Sequence, residues 1–447
     1  MAASVFDSAL YARLFPTGEA GRLFSDSAEI RAMMLVEGTL AKVQGAHGVI
    51  PEASAAFIAR AALELPLDPG ALAGATGANG VSVPGMVAAF RDAMQAPEHA
   101  QYLHWGATSQ DIIDSGLMLR LRQVLALIEA GLGPVLQALA DLAQAHADLP
   151  MAARTYGQHA TPTSFGAVVA GWGAPLLALL RELPGLRADC LLVSLSGAAG
   201  TAAALGPAAA RIRADLAAGL GLADPGRSWH SDRTPVLRIA DWLTRAALAL
   251  GKLGTDLTAL AQSGIDEISL GAAGASSTMP QKQNPVVPSV LSALARQTAG
   301  QMAILQGAAI HQHQRDGAAW FTEWICLPQI VLGAASAVEI AGPLCQALAP
   351  RTEHMAAALA GGLDMIHAEA LSFALARQMP RPEAQAAVKA LCREAQDTAT
   401  PLRDLVRRDW PGLDAEALFD PARQMGLAPA EARAFAASAH EFLKAKG

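Results

Sequence analysis

The chemistry in this chain is densest in the segment Ser276-Ser277-Thr278-Met279-Pro280-Gln281-Lys282-Gln283-Asn284-Pro285. Asn284 followed by Pro285 reads as a helix cap with proline at the first helical position, where its missing N–H costs nothing. The free N–H groups of such a helix start carry partial positive charge and Lys282 adds a full one, so an anion is expected to settle here. Two hydroxyls, Ser276 and Ser277, border that anion. A serine is a poor base in water, but a cationic pocket can lower its pKa enough to take a proton from carbon, or it can return one as the neutral hydroxyl.

Two further segments repeat the arrangement. Thr108-Ser109-Gln110-Asp111 opens an apolar run at helical spacing, with Asp111 at the third position of an approximate capping box. Arg154 to Ser164, RTYGQHATPTS, ends in a Thr161-Pro162 pair that reads as another helix start. It also carries Gln158 and His159, the latter the side chain suited to proton exchange near neutral pH. Three anion-friendly helix ends point to a polycarboxylate ligand. Each feature alone is also what an ordinary cap or a structural histidine looks like, and only their meeting in space makes a site. Arg315 can reach a carboxylate or can be an ordinary exposed helical arginine. His311 and His313, two apart, would face away from each other on a helix, so no metal site is expected. No dinucleotide fingerprint, phosphate loop or nucleophile elbow is present, so no cofactor is expected.

The elements that must position these residues are helices. Hydrophobic residues make up 52% and aromatics only 5%, a balance of Ala, Leu and Gly that favours close helix packing over sheets. Ser25 predicts a helix start, with Gly48 and Pro51 closing the element, and Thr234-Pro235 opens another running to about Gly264. Leu270 to Ser277, rich in Gly, Ser and Ala, reads as a flexible loop that is neither helix nor strand. Beyond about 350, Gly361-Gly362 and Pro380, Pro382, Pro411 and Pro429 punctuate shorter helices. The net charge of −7 without runs of one sign argues against nucleic acid or an anionic membrane as partner. Mean hydropathy is high at +0.28, yet the uncharged stretches Thr155–Leu180 and Cys190–Ala210 are interrupted by polar residues, glycine and proline and read as segments buried inside a large helical assembly rather than membrane spans. The N-terminus lacks the basic leader and apolar run of a signal peptide, and the protein is expected to be cytoplasmic. Cys190, Cys326, Cys345 and Cys392 are too irregularly spaced for zinc or a disulfide framework and are expected to be thiols.

SSTMPQKQNP at 276–285 resembles the signature loop of the fumarase/aspartase superfamily, with Ala275 where a glycine is usual. TSQD at 108–111 and TYGQHATPTSFG at 155–166 are similar to its other two characteristic segments, in the same order. The resemblance covers nearly the whole chain. It implies an all-α, three-domain subunit, here an N-terminal domain over 1–105, a central bundle of long helices over 106–350 and a small helical domain over 351–447. It also implies a homotetramer whose active sites take the three segments from different subunits. HWGATSQDIID, RTYGQHATPTSFG and HQRDGAAWFTEW are most similar to the 3-carboxy-cis,cis-muconate cycloisomerases, which form a lactone in protocatechuate degradation. Adenylosuccinate and argininosuccinate lyases usually carry a histidine where Tyr156 stands, which leaves His159 as the imidazole here. The resemblance implies Ser276, His159 and Lys282 as catalytic, with Ser276 or His159 exchanging the carbon-bound proton. It implies Thr108, Ser109, Gln158, Thr161, Ser277, Met279, Asn284 and Arg315 as substrate-binding. The alternatives are a related lyase that releases fumarate from a substituted succinate, and a catalytically silent helical scaffold.

Overall fold

The computed structural model describes residues 4–271, 274–275, 279 and 282–446, with the backbone alone at 274–275. The first long helix, α1 (Asp26–Ala46), opens where the sequence predicts, with Ser25 Oγ accepting the Ala28 N–H at 3.3 Å. Its buried residues Ile30, Met33, Met34, Leu40 and Ala41 follow helical spacing. Helix α2 (Glu52–Glu64) packs directly on it. A Cβ on Gly38 would lie 2.7 Å from that of Ala62, and one on Gly45 2.4 Å from that of Ala55, so the glycines permit a close approach that any side chain would push apart.

Five longer helices follow: α3 (Ser109–Ala145), α4 (Phe165–Cys190), α5 (Thr234–Leu260), α6 (Val286–Gly307) and α7 (Gly317–Ala347). The chain divides into two compact units, one of residues 1–131, 179–248 and 293–339, the other of 132–178, 249–292 and 340–447, and each long helix contributes residues to both. In the first unit Trp229 and Trp242 are buried, their indole N–H groups donating to the carbonyls of Val193 and Leu179. In the second, Trp172 donates to Asp256 at 2.7 Å and Phe435 fills the space above Gly173. Beyond residue 350 the chain forms shorter helices around their own apolar core, including Leu371, Leu391, Leu402, Val406 and Phe419.

Three sequence expectations need correction. Thr161-Pro162 does not start a helix: Pro150–Thr155 and Gln158–Ser164 are antiparallel strands β1 and β2, with Pro162 opposite Ala152. The turn between them is Tyr156-Gly157, both at positive φ (52° and 74°), the conformation of a two-residue hairpin turn. A residue before proline is driven to extended backbone, so the helix waits until Phe165, where Ser164 Oγ caps it by accepting the Ala167 N–H. Asn284 is likewise not the cap. Helix α6 starts at Val286, the Pro285 carbonyl accepts the Ser289 N–H, and Asn284 lies in a short strand. The described part of the glycine-rich loop is also not wholly irregular. In addition to the pair Ile268–Ser269 (β3) and Ala349–Pro350 (β6), Gly274–Ala275 (β4) pairs with Gln283–Asn284 (β5).

Helices α3, α4 and α7 are long and apolar enough to cross a membrane by length and composition alone. The polar residues that count against a span in the Thr155–Leu180 stretch lie in β2, outside α4. In α4 the most apolar window is 56% buried within the protein and in α7 67%. Among the cysteines, Cys190, Cys326 and Cys345 are buried thiols and Cys392 is half-buried; burial pushes Cys190 up to about 11 and Cys345 up to about 12.

Candidate active site

In the first unit the start of α3 is held by a buried carboxylate. Asp111 Oδ2 accepts the N–H groups of Thr108 (3.0 Å) and Gly197 (2.9 Å). Oδ1 accepts Ser194 Oγ (3.0 Å), the Ser196 N–H (2.9 Å) and His230 Nε2 (2.8 Å). The capping-box half predicted from spacing is therefore present, but it is one of five bonds that gather three distant segments. Burial alone would raise the Asp111 pKa; the bonds from His230, Thr108 and Gly197 outweigh it and hold the carboxyl below its ordinary range. A depressed carboxylate contributes stability that is complete above its unfolded value, about 3.9, and is lost as pH falls through the folded one. Denaturant midpoints should therefore fall more steeply with acidification below about pH 4 in the native protein than in Asp111→Asn, which is already destabilised. Equal slopes would remove Asp111 from this role.

With that frame in place, the half-buried Thr108 and Ser109 hydroxyls have no bond to other described residues and stand at the N-terminus of a 37-residue helix. Arg315 comes to the same place, its Nε donating to Gln110 Oε1 at 2.7 Å. It lies in the loop between α6 and α7, as do His311 and His313, so the helical argument that separates those two histidines does not apply. Among the described residues no group of three His, Cys, Asp or Glu side chains could hold a metal.

Sequence reasoning misses most of the support. His104, just before the TSQD segment, has φ 64° and its Nδ1 is 2.6 Å from the buried Glu37 carboxylate. Burial works against a charged His104 imidazole, but Glu37, aided by Asp111, raises its pKa. Arg233 is buried between Asp114 and Glu323, paired to each through two hydrogen bonds of 2.7–3.0 Å, with its guanidinium 4.9 Å from the Trp229 ring centre.

In the second unit Gln158 and His159 are exposed and Thr161 is half-buried on β2, beside the fully exposed Tyr156. Arg154, paired with His159 close to the turn, makes two bonds of 2.7 and 2.8 Å to buried Glu267, so it anchors the hairpin rather than facing a ligand. Lys282 and Asn284 border a cavity of about 580 Å³ with Gln262, Ser263, Ser269 and Arg351. The Arg351 charge is offset by Asp266, whereas among the described residues no carboxylate pairs with Lys282. Met279 accepts the Lys282 N–H through its carbonyl at 3.0 Å. Ser276 and Ser277 lie outside the described residues.

Residues 48–300 match a family model described as lyase. A Pseudomonas aeruginosa protein named 3-carboxy-cis,cis-muconate cycloisomerase is 38% identical over 419 residues, covering 91% of each chain. The chain belongs to the fumarase/aspartase lyases. Among these lyases it is also similar to a nitrosuccinate lyase of Streptomyces davaonensis, 34% identical over 96% of this chain and 94% of that one. The crystal structure of the 3-carboxy-cis,cis-muconate lactonizing enzyme of Pseudomonas putida superposes with a TM-score of 0.90 at 32% identity, covering 97% of this chain and all of that one. The mainly helical lyase fold expected from the signature segments is thus the fold of the chain.

Proposed function

We propose that the protein is a 3-carboxy-cis,cis-muconate cycloisomerase, closing 3-carboxy-cis,cis-muconate to 4-carboxymuconolactone. The similarity that carries this reading is to the Pseudomonas aeruginosa relative of that name, over nine-tenths of both chains. One substrate carboxylate oxygen forms a C–O bond at an alkene carbon, the alkene π bond breaks, and the carbon alpha to another carboxylate gains a proton. Substrate and product are isomers, so the atoms balance. The aci-carboxylate formed before protonation carries extra negative charge. Lys282 and Asn284 stabilise it, while Thr108, Ser109 and Arg315 hold a second carboxylate. Ser276 or His159 delivers the proton, and Gln158, Thr161, Ser277 and Met279 complete the substrate contacts.

The protein works as a homotetramer in this reading. His159 and Gln158 are exposed on a hairpin of the single chain, where water would compete for every proton and charge. A second copy closing over the hairpin would remove that water and supply the remaining segments.

The direct test is an ultraviolet assay with purified protein and 3-carboxy-cis,cis-muconate. Loss of the conjugated diene with a lactone product and no fumarate is expected. No turnover, together with fumarate release from a substituted succinate, would reassign the protein to the fumarate-releasing lyases. Ser276→Ala or His159→Ala should lower kcat by about 100-fold or more, the upper part of the general acid–base range being expected for the proton donor. Near-normal turnover in both variants would remove the proton-transfer assignment.

A further inference from the structure

We propose that Gln110 is a positioning residue that presets Arg315 as a clamp for a substrate carboxylate. The inference rests on the reading of the Thr108–Asp111 segment as substrate-binding and deepens it. Gln110 is fully buried in the first turn of α3. Its side-chain amide has two ends, and the surroundings permit only one orientation. Nε2 lies 2.8 Å from the His230 carbonyl and 3.1 Å from Asp114 Oδ2, both of which can only accept hydrogen bonds. The NH2 group must therefore face them, which turns Oε1 outward to accept Arg315 Nε–H at 2.7 Å.

Asp114 cannot swing to relax this geometry, because Arg233 grips both of its oxygens at 2.8 and 3.0 Å and is itself gripped by Glu323. A rigid, buried chain of hydrogen bonds thus runs from Glu323 through Arg233, Asp114 and Gln110 to a half-buried arginine. With Nε held, the guanidinium plane is fixed. One Nη2 contact, to the Ala198 carbonyl, is long at 3.4 Å. The terminal nitrogens remain available to a carboxylate, and a planar fork held in one orientation loses less freedom on binding than a free side chain. The ligand chemistry is a planar carboxylate beside the Thr108 and Ser109 hydroxyls.

The test is a double-mutant cycle on the full-length protein, using 3-carboxy-cis,cis-muconate as substrate and reading KM and kcat separately. Arg315→Met and Gln110→Met should each raise KM by about 10- to 100-fold, the usual weight of a hydrogen bond to a charged group. Gln110→Met should add less than about twofold when Arg315 is already Met, because it acts through that side chain. A Gln110 effect of the same size in both backgrounds would make Gln110 merely structural and overturn the proposal. Arg315→Lys gives an independent readout if Gln110→Met fails to fold. Lysine has no Nε–H at the guanidinium position for Gln110 to hold, so Arg315→Lys should bind as poorly as Arg315→Met, and near-normal KM in Arg315→Lys would equally overturn it. Normal KM in Arg315→Met would instead overturn the underlying reading of the segment.

Discussion

Replacing Lys282 by alanine is expected to reduce kcat at least about 100-fold with little change in KM, which is the usual cost of removing one donor aimed at developing charge. The substrate enters as a polyanion, and ring closure creates a further negative charge on the aci-carboxylate before a proton arrives. A group that is equally attracted to both states improves binding without accelerating the reaction; one that sits where the new charge develops lowers the barrier. Lys282 borders the 580 Å³ cavity a few residues before α6, whose first N–H groups add partial positive charge to the same region. The other cation on that cavity, Arg351, is already offset by Asp266. Among the described residues Lys282 is therefore the cation on that cavity with charge to spare. Steady-state kinetics on Lys282→Ala decide the point: a defect confined to KM would make Lys282 a binding residue only. Lys282→Arg should recover part of kcat, since it restores the charge without the compact ammonium.

The parts of this architecture that the sequence reveals are those set by neighbours in the chain. The start of α1 follows from Ser25, that of α5 from Thr234-Pro235, and the bond from Thr108 N–H to Asp111 from a three-residue spacing. The hairpin is misread because Thr161-Pro162 is compatible with a helix cap as well as with extended backbone, and the deciding feature is the Tyr156-Gly157 turn upstream. That X-Gly pair inside a polar stretch is itself a turn signal and argues for a hairpin. The support of the site is invisible for a different reason. Asp111 meets Ser194 and His230 across 83 and 119 residues of chain, and Arg154 meets Glu267 across 113. No local periodicity encodes such pairings; they follow from how the long helices pack. The signature segments identify the lyase fold, while the buried polar groups that orient them become apparent only in three dimensions.

Those buried groups set the second large effect. Arg233→Met should destabilise the protein by about 3–5 kcal/mol, the cost of leaving buried charge without its partner. Arg233 is 2% exposed and is the cation between two carboxylates, Asp114 at 0% and Glu323 at 2% side-chain exposure. Burial opposes the charged guanidinium, but Asp114 and Glu323 outweigh it and raise the Arg233 pKa. Burial likewise pushes Glu323 up, opposed by Arg233 and reinforced by Asp114. Methionine fills a similar volume and carries no charge, so the variant isolates electrostatics from packing. It leaves two carboxylates facing each other in a dry interior, where they avoid the repulsion by taking up a proton. The Glu323 pKa, already pushed up by burial, then rises further without Arg233, and a raised pKa means that stability present at low pH is lost as pH rises through the folded value. The stability gap between Arg233→Met and the native protein should therefore narrow as the pH is lowered from 7 toward about 5, the reverse of the acid dependence expected from Asp111. Urea midpoints at matched protein concentration across that range measure it. A gap that does not change with pH would mean that Asp114 and Glu323 find other partners. Gln110 would then keep its acceptor without Arg233, and the hydrogen-bond chain to Arg315 would begin at Asp114 rather than at Glu323.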